Sequence, residues 1–444
     1  MTIYRGTVLD TPESPFTGGA LRAESDAGIA VAGGVIVDRG PFARVRATRP
    51  HEEVVDLTGG VVLPGLVDTH VHFPQVRVIA GLGMPLLDWL EKCALPEEAR
   101  MADAGYAREV AGEFVDGLVR AGTTTALVFG AHFAPAVDSL FEQAAASGLR
   151  ISAGLVVSDR ILRPDLLTTP ELALADGRAL AGRWHGKDRL RYAVTPRFSL
   201  STTGALLESC AALLHEVDGA LFTSHVNENT AEVDTVRGLF PECTSYVDTY
   251  RRAGLLGPGS VLAHNVHPTD AELDALAAAG ASVAHCPSSN SALGSGLFPL
   301  RRHVERGVRV ALGTDVGAGT SFSLLREGLQ AYFMQALLGA DGLPLTSAHM
   351  LYLATGAGAA ALGLHDQVGD LSVGRQFDAV WVGPQPGSTL DVVLRHAADD
   401  DDALAKVFAL AGPSDVRGVW IGGDQAPADL ARRAATNDRM PSTR

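Results

Sequence analysis

Two histidines, His70 and His72, stand two residues apart at the end of the apolar run Leu63-Pro64-Gly65-Leu66-Val67-Asp68-Thr69. In a β-strand, residues i and i+2 point to the same side, so both imidazoles leave one strand end on one face. Neutral imidazole binds zinc and similar divalent ions. A bare His-x-His pair is more often coincidence than a site. Here the flanks raise its weight: Pro64-Gly65 marks a sharp entry, and the run is long enough for a buried strand. Further on, other polar residues fall where apolar segments end. Ala220-Leu221-Phe222-Thr223-Ser224 runs into His225, with Glu228 three residues later; Val261-Leu262-Ala263 runs into His264; Val308 to Thr314 runs into Asp315. Each alone has an ordinary explanation: a helix-face pair for His225 and Glu228, a core histidine for His264, a turn or cap for Asp315. Their recurrence at successive strand ends is what points to one site.

The elements that must hold such residues alternate. Candidate strands are Val61-Val67, Thr124-Phe129, Ile151-Val157, Arg191-Pro196, Ala220-Ser224, Ser260-Ala263, Ala281-Ala284 and Val308-Leu312. Ala- and Leu-rich stretches of helical spacing, such as Tyr106 to Arg120 and Pro135 to Ser147, lie between them. Eight strands alternating with helices predict an α/β fold, a (β/α)8 TIM barrel, over residues 64–364. In that fold the chemistry sits at the C-terminal strand ends, where the residues above fall. A doubly wound open sheet would instead follow its first strand with a glycine-rich phosphate turn. Residues 1–63 read as short strands, and 365–444 again carry strand-like segments around Ala379-Val382 and Val416-Ile421. The two ends are expected to build one composite β-sandwich. Asp399-Asp400-Asp401-Asp402 reads as a solvated turn or helix start, and the polar tail from Ala426 to Arg444 as loosely held.

At 444 residues and 46% hydrophobic content the chain can fill a large core. A net charge of −15 argues against nucleic acid as a partner, which needs a basic face. No window is apolar enough for a membrane span, and Met1-Thr2-Ile3-Tyr4-Arg5 does not open a signal peptide, so a cytoplasmic protein is expected. The four cysteines, Cys93, Cys210, Cys243 and Cys286, are scattered, without a Cys-x-x-Cys, and read as buried thiols.

Pro64-Gly65-Leu66-Val67-Asp68-Thr69-His70-Val71-His72 resembles the first barrel strand of the amidohydrolase superfamily. Phe73-Pro74-Gln75, Pro85-Leu86-Leu87-Asp88-Trp89-Leu90 and Pro196-Arg197-Phe198 are similar to motifs of its guanine deaminase branch, and His285-Cys286-Pro287-Ser288-Ser289-Asn290 also resembles the family. The resemblance implies a hydrolase with one Zn2+ per subunit held by His70, His72, His225 and Asp315, a donor set that also suits iron or manganese. His264 would complete the metal shell or hydrogen-bond the attacking water. Glu228 and Asp315 would move protons during deamination of a purine base. Gln75, Arg197, Phe198 and Trp89 would meet that base, and His285 would orient a ligand or the substrate by a hydrogen bond. A homodimer is implied. The binuclear branch of the superfamily uses a lysine at the fourth strand end; the three lysines here are Lys92, Lys187 and Lys406, and Lys187 precedes that strand. Two alternatives stay open: a deaminase of another aminated heterocycle, such as 8-oxoguanine, an aminotriazine or a pyrimidine, and a catalytically silent scaffold.

Overall fold

The computed structural model describes residues 1–427; from residue 428 the tail expected to be loosely held lies outside the described residues. Eight parallel strands follow one another around a barrel: Leu66–His72, Thr123–Phe129, Arg150–Gly154, Leu190–Pro196, Leu221–Val226, Ser260–His264, Ser282–His285 and Arg309–Leu312. Every residue of the first two is buried, as expected for parallel strands covered on both faces. The ring closes just beyond the eighth strand. Asp315 N donates to His70 O at 2.9 Å, and His72 N donates to Val316 O at 2.8 Å. The predicted helices form around the ring as Ala104–Arg120 and Ala134–Ser147. In the first of these Asp103 caps the Tyr106 N–H, and Ala107, Val110, Ala111, Phe114, Val115 and Leu118 make a buried stripe of helical period.

One predicted strand is divided. Val61 to Pro64 pairs antiparallel with Val382 to Ala379 and belongs to the terminal sheet, while the barrel strand begins at Leu66. Gly65 is the break. A Cβ there would lie 2.2 Å from Thr124 Oγ1, so only glycine lets the chain cross from one sheet to the other at this approach. Periodicity could not show this, because both sheets bury the same apolar run.

The two ends of the chain do build one β unit. Its strands lie in the order Asp424–Gln425, Val416–Ile421, Ala379–Val382, Glu53–Pro64, Thr2–Asp10, Arg22–Ala32, Val35–Pro41. Hydrogen bonding runs through all seven as one sheet, which curls until its far ends meet. Phe377 N donates to Gly34 O at 2.8 Å, and Gly423 N to Phe377 O at 2.9 Å. Inside the curl, Tyr4 stacks on Phe377 with centroids 4.3 Å apart and meets Trp420 edge-on at 5.4 Å. Asp399 caps the helix Asp400–Leu410 and the next three aspartates fill its first turn, where the helix dipole favours negative charge. Cys210 and Cys286 are buried as expected; Cys93 and Cys243 are only part-buried, so the expectation of four buried thiols fails for two. No helix among the described residues is long and apolar enough to cross a membrane.

A buried ion pair ties the terminal sheet to the barrel floor. Arg150, on the third strand, donates to Asp378 through Nε at 2.8 Å and Nη2 at 3.2 Å. The Asp378 carbonyl accepts from Gly65 N at 2.9 Å, so the tether meets the crossing point itself. Asp378→Ala strands a buried guanidinium, and a loss of about 3–5 kcal/mol is expected, read as a lower urea midpoint.

Candidate active site

The strand ends deliver their polar residues to one point. His70 Nε2 and His72 Nε2 lie 3.2 Å apart, and His72 Nε2 is 3.2 Å from His225 Nε2. Asp315 Oδ1 is 3.2 Å from both His70 Nε2 and His72 Nε2. His70, His225, His264 and Asp315 each offer a donor atom within 4.8 Å of the others, and all four are buried. Donors that share a tetrahedral ion at ordinary Zn–N distances stand roughly 3.3–3.4 Å apart. The observed spacing fits that arrangement, and it fits no closed set of hydrogen bonds, since a carboxylate and lone-pair nitrogens only accept.

The protein also sets which ring nitrogen points inward. His225 Nδ1 lies 2.7 Å from the Arg197 carbonyl, which can only accept, so Nδ1 carries the proton and Nε2 faces the cluster with a lone pair. His264 Nδ1 meets Asn290 Oδ1 at 3.1 Å with the same effect. Burial pushes His70 down to about 3 against the opposing pull of Asp315, and burial and the neighbouring imidazoles lower His225, so both rings are neutral at working pH, as ligands must be. Burial alone would raise Asp315, but its interactions with His70, His72 and His264 outweigh it and hold the carboxyl well below its usual range.

Backbone geometry supports the convergence. Seven non-glycine residues among those described have positive φ, and four of them, Asn227, His264, Asn265 and Asp315, sit at the fifth, sixth and eighth strand ends. Left-handed backbone at such residues is strained and gathers at functional sites. The first and eighth strands are pinned by Asp68, whose Oδ1 accepts from His70 N and Thr314 N, both at 3.1 Å, and whose Oδ2 accepts from Thr314 Oγ1 at 2.5 Å. Asn229 caps the helix Thr230–Leu239.

Beside the cluster lies a pocket lined by His72, His225, His264, Asp315 and Glu228 at one end, with Gln75, Trp89, Arg197, Phe198 and Leu90 around the rest. Glu228 Oε2 lies 3.5 Å from His264 Nε2, and Oε1 accepts from Ser295 Oγ at 3.3 Å. Burial, then the charge of Asp315, raises Glu228 to about 8. His70 belongs to the donor cluster, and every other residue expected to touch metal or substrate lines this pocket. His285 is placed differently. Its ring stacks on Phe298 at 4.2 Å, both nitrogens are without a hydrogen-bond partner, and it does not line the pocket.

Sequence reasoning missed Glu98. It is buried on the helix Leu95–Ala99 and accepts from Gln75 Nε2 at 2.6 Å and from Arg197 Nη1 at 2.8 and 2.7 Å. Burial would raise its carboxyl, but Arg197, with His132 and His72 nearby, holds it well below the usual carboxylate range. Nothing in Leu95-Pro96-Glu97-Glu98 separates it from its exposed-looking neighbour. Glu98 also changes what Gln75 offers. Gln75 Oε1 accepts from Gly317 N at 3.0 Å and one amide N–H goes to Glu98, so a remaining N–H is what the amide has for a ligand.

A buried His/Asp cluster suited to a metal ion, at the C-terminal end of a (β/α)8 barrel, marks a hydrolase, and residues 61–426 match the model of the amidohydrolase family. The chain belongs to that family. It is 62% identical over 429 residues to the probable guanine deaminase of Deinococcus radiodurans, covering 95% of this chain and 98% of that protein. It is 39% identical over 368 residues to guanine deaminase of Escherichia coli, covering 83% and 82%. The solved structure of the E. coli guanine deaminase superposes with a TM-score of 0.92 at 34% identity, covering 96% of this chain and 99% of that one.

Removing a donor should empty the cluster. His225→Ala is expected to lower divalent metal retained after gel filtration by about 10-fold or more, measured by elemental analysis against the unaltered chain.

Proposed function

We propose that this protein is a guanine deaminase, which hydrolyses guanine to xanthine and ammonia. The observation that carries the substrate is the one-sided chemistry of the pocket wall. Arg197 has only N–H groups to offer, and Gln75, its carbonyl held by Gly317 N, has an N–H left. A wall of donors selects a base edge made of acceptors. Guanine has one, O6 with N7, whereas adenine places an amino donor at position 6. That edge lies across the ring system from C2, the carbon that bears the amino group. Holding it against Arg197 and Gln75 turns C2 toward His225, Glu228 and Asp315. Trp89 and Phe198 flank the space a flat ring would occupy.

His70, His72, His225 and Asp315, with His264 beside them, would hold a divalent ion, which would supply a water activated for attack at neutral pH. Glu228 would take a proton from the attacking water and deliver it to the ring nitrogen next to C2, making the carbon more electrophilic. Its carboxylate lies 3.5 Å from His264 at the edge of the cluster, which places it for that transfer. Asp315 takes the second proton and passes it to the departing amine. Water and guanine are consumed one for one, giving xanthine and ammonia. A non-ligand glutamate plays the same part in unrelated zinc deaminases.

The similarity to guanine deaminases over nearly the whole chain supports the same conclusion. Zinc as the native ion and a homodimer, which the family resemblance implies, together with the cytoplasmic location and the division at residues 63 and 364 expected from the sequence, complete the proposal.

Ammonia release from guanine by the metal-loaded chain, set beside adenine and cytosine, tests it; comparable release from adenine would contradict the donor-wall argument. Glu228→Gln should keep its metal while kcat falls by about 10²–10⁴-fold. Turnover at the parent rate would show that protons travel by another route.

A further inference from the structure

We infer that Glu98 is a positioning residue for base recognition: it sets which atoms Gln75 and Arg197 present to the purine. The inference rests on the guanine reading above and adds to it the element that makes the pocket wall one-sided. Glu98 does not line the pocket. It stands behind the two residues that do, with its side chain 2% exposed.

The case starts from what a primary amide can do. A glutamine side chain can turn over and exchange its oxygen for its NH2 group with little change in shape. Two fixed neighbours settle the matter for Gln75. The Gly317 N–H only donates, so the Gln75 oxygen must face it; an ionised carboxylate only accepts, so the NH2 must face Glu98. Both ends agree, and a single orientation survives. Reversal would set oxygen against carboxylate and N–H against N–H.

Arg197 is governed by the same carboxylate. Both Glu98 oxygens lie within 2.8 Å of Arg197 Nη1, which leaves Nε and Nη2 unengaged by Glu98. The guanidinium is 3% exposed, and a buried charge needs a partner. It also sits beside a cluster built to hold a cation, since the Arg197 carbonyl accepts from His225 Nδ1. Without Glu98 the positive charge would be unbalanced there, and nothing else named around Arg197 would aim it. His132 Nε2 lies 3.2 Å from Glu98 Oε2 without hydrogen-bonding geometry and borders the carboxylate on its remaining side. Glu98 thus acts through two other residues on one property of the ligand, the oxygen at C6.

Glu98→Gln preserves shape but replaces a pure acceptor by a group that donates and accepts. Gln75 can then turn over, and Arg197 loses its counter-charge. The test compares the unaltered chain, Glu98→Gln, Arg197→Met and the double variant. The readouts are kcat and KM for guanine, the inhibition constant of 2-aminopurine, which lacks the C6 oxygen, and metal content. Glu98→Gln should lower kcat/KM for guanine by about 10- to 100-fold, the size of one well-formed base contact, with metal retained and 2-aminopurine binding changed less than about threefold. In the Arg197→Met background the same substitution should cost at least about threefold less than in the parent, because part of what Glu98 positions is gone.

Equal losses for guanine and 2-aminopurine, no loss for guanine, or losses that multiply fully in the double variant would overturn the inference. If Glu98→Gln alone does not fold, the comparison of Arg197→Met with the double variant decides it: matching activities support positioning, and a further drop of about 10-fold or more refutes it. Failure of the unaltered, metal-loaded chain to release ammonia from guanine would instead sink the guanine reading itself.

Discussion

Three imidazole nitrogens and a carboxylate oxygen meet about one centre with 3.2 Å between neighbours, all on buried side chains. Lone pairs packed so closely repel, and burial removes the solvent that would soften the repulsion. A cation turns every one of these contacts from unfavourable to favourable. The surrounding architecture serves to bring such donors together and keep each in the state a ligand needs. The Arg197 carbonyl and Asn290 hold protons on the outer nitrogens of two rings, and burial keeps His70 neutral.

That convergence depends on the seam where the barrel closes. Asp315 belongs to the eighth strand end and His70 to the first, hundreds of residues away in the chain. They become neighbours because backbone hydrogen bonds carry the closure past the last regular pair of the eighth strand, and because Asp68 bonds to both sides of the seam. Left-handed backbone at His264 and Asp315 turns these side chains inward. A strained conformation of this kind persists only where neighbouring contacts enforce it. The ion pair between Arg150 and Asp378 does similar work at the opposite end, anchoring the terminal sheet at the point where the chain crosses into the barrel.

Chemistry and recognition are divided between two sides of one pocket. In the proposed reaction the strand ends supply the groups that move protons. The loop after the first strand, the fourth strand end and the helix bearing Glu98 supply those proposed to read the base. Arg197 joins the two sides, because its backbone orients His225 while its side chain faces the pocket. A base held wrongly would thus be felt at the metal cluster, and the discrimination described above is coupled to the site of reaction through one residue.

Much of this was legible in the chain itself. His70, His72, His225, His264 and Asp315 could be named because each ends an apolar segment, and in a barrel all such ends open on one face. The alternation of strands and helices, and β-rich segments at both termini, were equally local signals. Other features were not local. The first strand begins at Leu66 rather than Val61, since a single apolar run serves two sheets and only the close approach of Thr124 to Gly65 shows where it divides. Glu98 was one acidic residue among 51, and its part emerged only when folding set it against Gln75 and Arg197. The chain alone determined which chemistry its residues could perform, because ligand type and strand period are properties of short segments. Tertiary structure alone decided which way Gln75 and Arg197 face, because a hydrogen bond's direction depends on partners that the fold brings from far along the sequence.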